Sequence, residues 1–272
     1  MRSRVARVLG VVLGVLIVGL VFAVIAAMFA FSPQYVLRVL AWQESDAFGW
    51  QKFPARELRP AETPFQFEAD PDSRAPQLFQ SLAGVDDWDA YLEETETQAF
   101  IVIQDGTVLY ERYLNDTQRD SIVTSFSVAK SYTSALIGIA IEEGYIGSVE
   151  DPVTDYLPEL AARDPRFESI TLRHLLLMAS GLDYQAYRSL LFDGDDPLTT
   201  YYPDQRKITL ENTHIVDPAG EYFRYNKYHP QLLGMVLERA TGMTVTEYLQ
   251  SKIWDPLGME YGGSWSLDSK QS

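Results

Sequence analysis

The chain has 272 residues, 46% of them hydrophobic and 22% charged, which is apolar material for one large domain or two small ones and argues against a disordered chain or a bare coiled coil. It contains no cysteine, which excludes disulfides, thiol catalysis and thiolate-held metal centres, and His174, His214 and His229 form no close-spaced metal motif. The formal net charge of −16 is uneven: the first 31 residues hold Arg2, Arg4 and Arg7 and no acid, so 38 acidic against 19 basic residues remain, a formal −19 for residues 32–272. Such a body repels nucleic acid and anionic headgroups, so no nucleic-acid partner is expected, and it suits neutral or zwitterionic small molecules, peptides and cationic partners.

Residues 8–31 form an uncharged apolar run, long enough as a helix to cross a hydrocarbon core of roughly 30 Å. The basic segment 1–7 before it and the acids Glu44 and Asp46 after it predict a cytoplasmic tail, a single transmembrane signal anchor and an extracytoplasmic body at the cell membrane. A cleaved secretory signal, which would release a secreted form, is the rival reading. Against it, the run is longer than a usual signal core, and neither Ala26-Ala27-Met28 nor Phe29-Ala30-Phe31 makes a clean small-x-small site.

Residues 32–98 mix prolines, acids and aromatics, which predicts a juxtamembrane helix over Pro33–Trp42, an irregular stem that partly packs back, and a helix over Leu78–Glu94. Two runs rich in Ile, Val and Tyr flank Asp105-Gly106, a hairpin signal over 99–113. Ser127–Glu143 presents a helical apolar face ended by Gly144, and Thr171 caps a short apolar helix that runs to Met178. The stretch 183–217, with its acidic DGDD at 193–196, shows no clear period and reads as a lid or excursion with a solvated acidic turn. Helices are expected at Gln231–Ala240 and Thr244–Ile253. The final residues from Gly262 read as turn-like, without a closing strand, which leaves the hairpin short of sheet partners and suggests an incomplete domain.

Ser127-Val128-Ala129-Lys130 carries the sharpest chemical signal. On a helix the spacing of three sets an amine over the same face as a hydroxyl, and a lysine of lowered pKa can take the proton of an otherwise poor serine nucleophile. Alone the motif is common by chance, with a surface lysine behind a helix cap as the bland alternative. Pro218 to Gly234 adds a Tyr-rich loop, Tyr225-Asn226-Lys227, ahead of a helix containing Leu232-Leu233-Gly234.

With these motifs the sequence resembles the serine β-lactamase-like superfamily, in its class C β-lactamase, D-alanyl-D-alanine carboxypeptidase, esterase and 6-aminohexanoate-dimer hydrolase branch. Asp151-Pro152-Val153, Thr171 to Leu176, Ser180-Gly181-Leu182 and Pro256-Leu257-Gly258-Met259 follow in the family's order. The resemblance implies an α/β (α+β) fold, an antiparallel sheet flanked by helices plus a mainly helical part over 145–258, with residues 99–272 forming the hydrolase domain. It implies Ser127 as nucleophile with Lys130 and Tyr225 sharing proton transfer, no metal or organic cofactor, and a small ester, amide or peptide-like substrate. Lys227 stands where the family usually has Asn, which points it toward a substrate carboxylate or leaves Asn226 to fill the amide role. The family's third motif, a Lys or His, Ser or Thr, Gly element on an edge strand, would fall after Ser272. A penicillin-interacting D,D-peptidase, a β-lactamase and a catalytically inactive binding module of the same fold are the alternatives. The sequence sets no oligomeric state.

Overall fold

The computed structural model describes residues 2–42, 45–187 and 192–269; the acid Glu44 invoked for topology lies outside them. In chain order the elements are α1 Arg2–Ala30, α2 Pro33–Trp42, β1 Ala55–Leu58, β2 Glu68–Ala69, α3 Ala75–Ala83, α4 Trp88–Glu94, β3 Ala99–Gln104, β4 Thr107–Tyr113 and α5 Ala129–Glu142. They continue as α6 Pro158–Arg163, α7 Leu172–Leu176, α8 Asp195–Tyr201, α9 Gln205–Glu211, α10 Tyr228–Thr241, α11 Val245–Leu249 and β5 Gly263–Ser266. The chain divides into two compact units. One contains residues 1–45, 133–243 and 267–272, the other 46–132 and 244–266.

The second of these units holds all five strands of the described residues. Asp105 and Gly106 take φ values of 50° and 78°, the left-handed pair that a two-residue hairpin turn requires, and β3 and β4 pair antiparallel on either side. A bulge falls between Val102 and Ile103. β2 joins β4 in parallel, so this sheet is mixed, ordered β2-β4-β3, and departs from the purely antiparallel expectation. Under it Trp88, Leu92 and Leu114 are buried with Phe79, Val85, Phe100 and Tyr110, and the Phe79, Trp88 and Phe100 rings meet at 5.2–5.3 Å between centroids.

The helix foreseen over Leu78–Glu94 is two helices, because Gly84 ends α3 in the left-handed region at φ 69° and Asp87 caps α4 by accepting the Ala90 N–H. The ending is not strandless: β5 pairs antiparallel with β1, from Ala55 opposite Ser266 to Leu58 opposite Gly263. The stem thus supplies a strand, and α11 lies beside that strand and not in the helical unit to which 145–258 was assigned. Among the described residues β3 forms the outer edge of this sheet, with Ile101 and Ile103 about half exposed.

The helical unit is built around α10. Its Leu232, Leu233, Val236 and Leu237 are buried, as are Leu172 and Leu175 on the neighbouring α7 and Leu136, Ile137 and Ala140 of α5. Each of these leucine, isoleucine and valine side chains contributes on the order of 1.5–3 kcal/mol by leaving water. Thr171 caps α7 as foreseen, and His174 completes the cap by accepting the Thr171 N–H on Nδ1, so this histidine serves the helix start. Within 183–217 lie α8 and α9, each about two turns and too short to show a period.

Candidate active site

The segment entering α5 is pinned by the stem of the same unit. Trp50 donates its indole N–H to the Ile122 carbonyl at 3.0 Å and its backbone N–H to Thr124 Oγ1 at 3.2 Å, while the Thr124 N–H reaches the Ala47 carbonyl at 2.7 Å. Nothing in the sequence around Trp50 signals this role. The chain then makes a 3-10 turn over Phe126–Val128 before the α-helix begins at Ala129, two residues later than the sequence predicts. Phe126 has φ 46°, a region costly for a bulky side chain, and such strain concentrates at functional positions.

Directly after it, Ser127 is exposed and its Oγ accepts a hydrogen bond from Lys130 Nζ at 2.9 Å. This is nucleophile-to-base distance, obtained because residues three apart face one another across a single turn, and Lys130 is half-buried.

Tyr225 belongs to the helical unit, on the loop before α10, and is 45% exposed. Backbone bonds hold that loop: the Gly220 N–H donates to the Ala179 carbonyl at 2.7 Å and the Arg224 N–H to the Met178 carbonyl at 2.8 Å. The Arg224 guanidinium adds the Leu182 carbonyl at 3.2 Å and Asp217 Oδ2 at 2.8 Å. Asn226, expected toward substrate, is fully buried. Its amide nitrogen reaches the Asp183 carbonyl at 3.3 Å and its oxygen accepts the Tyr228 N–H at 2.8 Å, so it tethers the loop. Lys227 pairs with Asp196 at 2.9 Å, which meets its charge within the unit.

The acidic DGDD stretch is therefore not a solvated turn. Asp195 is 3% exposed and accepts the Tyr228 hydroxyl at 3.0 Å, the Asn212 amide at 3.3 Å and the Gln185 N–H at 2.7 Å. Asp196 accepts the Tyr184 hydroxyl at 2.5 Å, and burial pushes the Tyr184 phenol up, with that carboxylate adding to the rise. These carboxylates brace α8 against the start of α10, a long-range use that local composition hides. His229 is 1% exposed, shares a 2.6 Å hydrogen bond with Ser180 Oγ, and is pushed down to about 3 by burial, so it is a neutral core group.

Comparison with known proteins identifies the family and the fold. The Beta-lactamase family profile matches residues 88–271. The chain is 27% identical over 243 residues to the 6-aminohexanoate-dimer hydrolase of Paenarthrobacter ureafaciens, covering 84% of this chain and 60% of that protein. It is 28% identical over 189 residues to esterase EstB of Burkholderia gladioli, covering 63% of this chain and 47% of the esterase. Among solved structures, a Bacillus anthracis protein assigned to the 6-aminohexanoate-dimer hydrolases superposes with a TM-score of 0.68 at 22% identity, over 80% of this chain and 60% of that one, a likeness of fold. The chain belongs to the beta-lactamase family and has its α/β fold of helices and sheet. It spans about half to 60% of the length of these relatives.

Proposed function

We propose that this chain is a serine hydrolase that cleaves a carboxylic ester or amide through an acyl-enzyme, carried on a membrane anchor. Ser127 is the nucleophile and Lys130 its base, with Tyr225 sharing proton transfer to the leaving group as the family resemblance implies. The single observation that carries the reading is the 2.9 Å contact of Lys130 Nζ with Ser127 Oγ on a strained turn at a helix start. Lys130 Nζ takes the serine proton as Oγ attacks the carbonyl carbon; the proton then passes to the departing alkoxide or amine. Water attacking the acyl-enzyme releases the acid and restores the serine.

The relatives support an ester or amide as substrate, being a dimer hydrolase, an esterase and a D-aminopeptidase. The anchor reading rests on Val8–Ala30, which has a mean hydropathy of 3.2 and is not buried in the protein. The basic segment 1–7 stays cytoplasmic and residues 99–272, behind the stem 32–98, act outside the membrane.

The test is adduct formation on the full chain in detergent, with a fluorophosphonate and a fluorescent penicillin, mapped by peptide mass spectrometry. An adduct on Ser127 that disappears in Ser127→Ala and is much slowed in Lys130→Ala supports the proposal. Labelling by the penicillin in preference to the fluorophosphonate would redirect it toward a D,D-peptidase or β-lactamase. Folded protein that takes neither reagent overturns the enzymatic reading and leaves a binding module.

A further inference from the structure

The helix that follows the apolar span is built inside out for a helix in water. On α2 the buried positions are Tyr35, Val36, Arg38 and Val39, while Leu37 and Leu40 are 55% and 40% exposed and Gln34 and Ala41 are also exposed. Arg38 is the one charged residue of this helix, and it points inward: it donates to the Tyr201 carbonyl at 3.2 Å and the Asp268 carbonyl at 2.8 Å, with the guanidinium 5.2 Å over the Trp42 ring. The outer face, with Leu37, Leu40 and Ala41, carries no charge.

The inner face is firmly seated. Tyr35 donates its hydroxyl to the Phe192 carbonyl at 2.8 Å, and its ring lies 5.7 Å from Phe31 and 5.6 Å from Tyr202. Trp42 meets Tyr201 at 6.1 Å. α2 is therefore part of the helical unit and not a linker, and aromatics of the kind enriched at membrane–water boundaries surround its base.

Position along the chain supplies the occupant. As a helix, Val8–Ala30 is about 35 Å long, close to the roughly 30 Å hydrocarbon thickness. Ser32, which caps α2 by accepting the Tyr35 N–H at 3.1 Å, comes two residues later, so α2 starts at headgroup level if α1 spans. We infer that α2 is an interfacial helix whose Leu37 and Leu40 face enters the headgroup and acyl boundary of the bilayer, seating the helical unit directly on the lipid surface. The inference rests on the anchor reading above. Since the outer face has no basic residue and the body is strongly acidic, the attraction is apolar and does not need anionic lipid.

The absence of native cysteine allows single-thiol variants of the full chain, Val18→Cys, Leu37→Cys, Leu40→Cys and, as an acidic exposed control, Glu168→Cys. Each is labelled with an environment-sensitive fluorophore and reconstituted in phosphatidylcholine vesicles containing spin-labelled phosphatidylcholine quenchers, shallow or deep. The expected result is loss of about half the emission or more at Leu37 and Leu40 with the shallow quencher, at Val18 with the deep one, and little loss at Glu168. Quenching at Val18 with Leu37 and Leu40 behaving like Glu168 overturns the inference and leaves the anchor standing. No quenching at Val18 removes the anchor and the inference together.

Discussion

The Lys227 ammonium lies 2.9 Å from Asp196 Oδ1, and that same oxygen accepts the Tyr184 hydroxyl at 2.5 Å. The residue just before α10 is thereby tied to the first turn of α8, two residues after the candidate tyrosine Tyr225. Lys227→Asn, which restores the amide usual in the family, leaves Asp196 without its cation. Since both groups are partly exposed, the expected loss is modest, about 0.5–1 kcal/mol, or roughly 2 °C in Tm, and Lys227→Arg, which keeps the cation, should lose little of this stability. Thermal melts of the three proteins check this. An unchanged Tm in the asparagine variant would mean that the pair contributes nothing in solution.

Gly181 shows why the Ser180-Gly181-Leu182 motif needs its glycine. Its φ is +77°, and a Cβ there would stand 2.0 Å from the Asp217 carbonyl oxygen, while the Val216 and Asp217 N–H groups both donate to the Gly181 carbonyl. Backbone atoms cannot move aside as a side chain end can. Gly181→Ala should therefore cost about 3 kcal/mol or more and expose the 215–227 loop to proteolysis, read by limited digestion and circular dichroism. Wild-type resistance in that variant would show that the two strands of loop can separate freely.

His229 gives the helical unit an acid sensitivity of defined sign. Burial depresses its pKa from the ordinary 6.5 to about 3, so between those values the unfolded chain binds a proton that the folded protein refuses. Stability from this group is complete above pH 6.5 and falls as pH drops toward 3, by at most about 1.4 kcal/mol per pH unit. Denaturant melts of wild type and His229→Gln should converge in their pH dependence above 6.5 and diverge below it, with the variant flatter. Parallel curves throughout would show that His229 titrates normally.

Phe126, at φ 46° with its side chain 54% exposed, pays strain without much packing in return. Phe126→Gly should stabilise the folded chain by about 0.5–1 kcal/mol, because glycine accepts that conformation without a Cβ clash. The same change should slow fluorophosphonate labelling of Ser127, since the turn that presents it becomes one of several available. Faster labelling would mean that the strain does not present the serine.

Much of this was readable from local order alone. The hairpin over 99–113, the Thr171 cap, α2 and the Ser127–Lys130 pair depend on residues within a few positions of one another, where turn chemistry and helical spacing act directly. The β1–β5 pairing was not readable, because Ala55 and Ser266 are far apart in sequence and neither short segment alternates clearly. The DGDD stretch misled for the same reason: its composition says solvent, and partners distant in sequence, among them the Tyr228, Asn212, Tyr184 and Lys227 side chains, make burial tolerable.

By itself the sequence determined the family and the kind of chain: an apolar N-terminal helix, an acidic cysteine-free body, a serine with a lysine one turn away, and the order of motifs that marks the family. Tertiary structure alone decided which polar groups those motifs turn inward. Asn226 became a tether, Lys227 an ion-pair partner, His229 a neutral core residue, and Arg38 an inward-facing cation beneath a leucine-lined outer face. A side chain's type limits what it can bind, but its burial and its partners, set by segments distant in the chain, decide what it does bind.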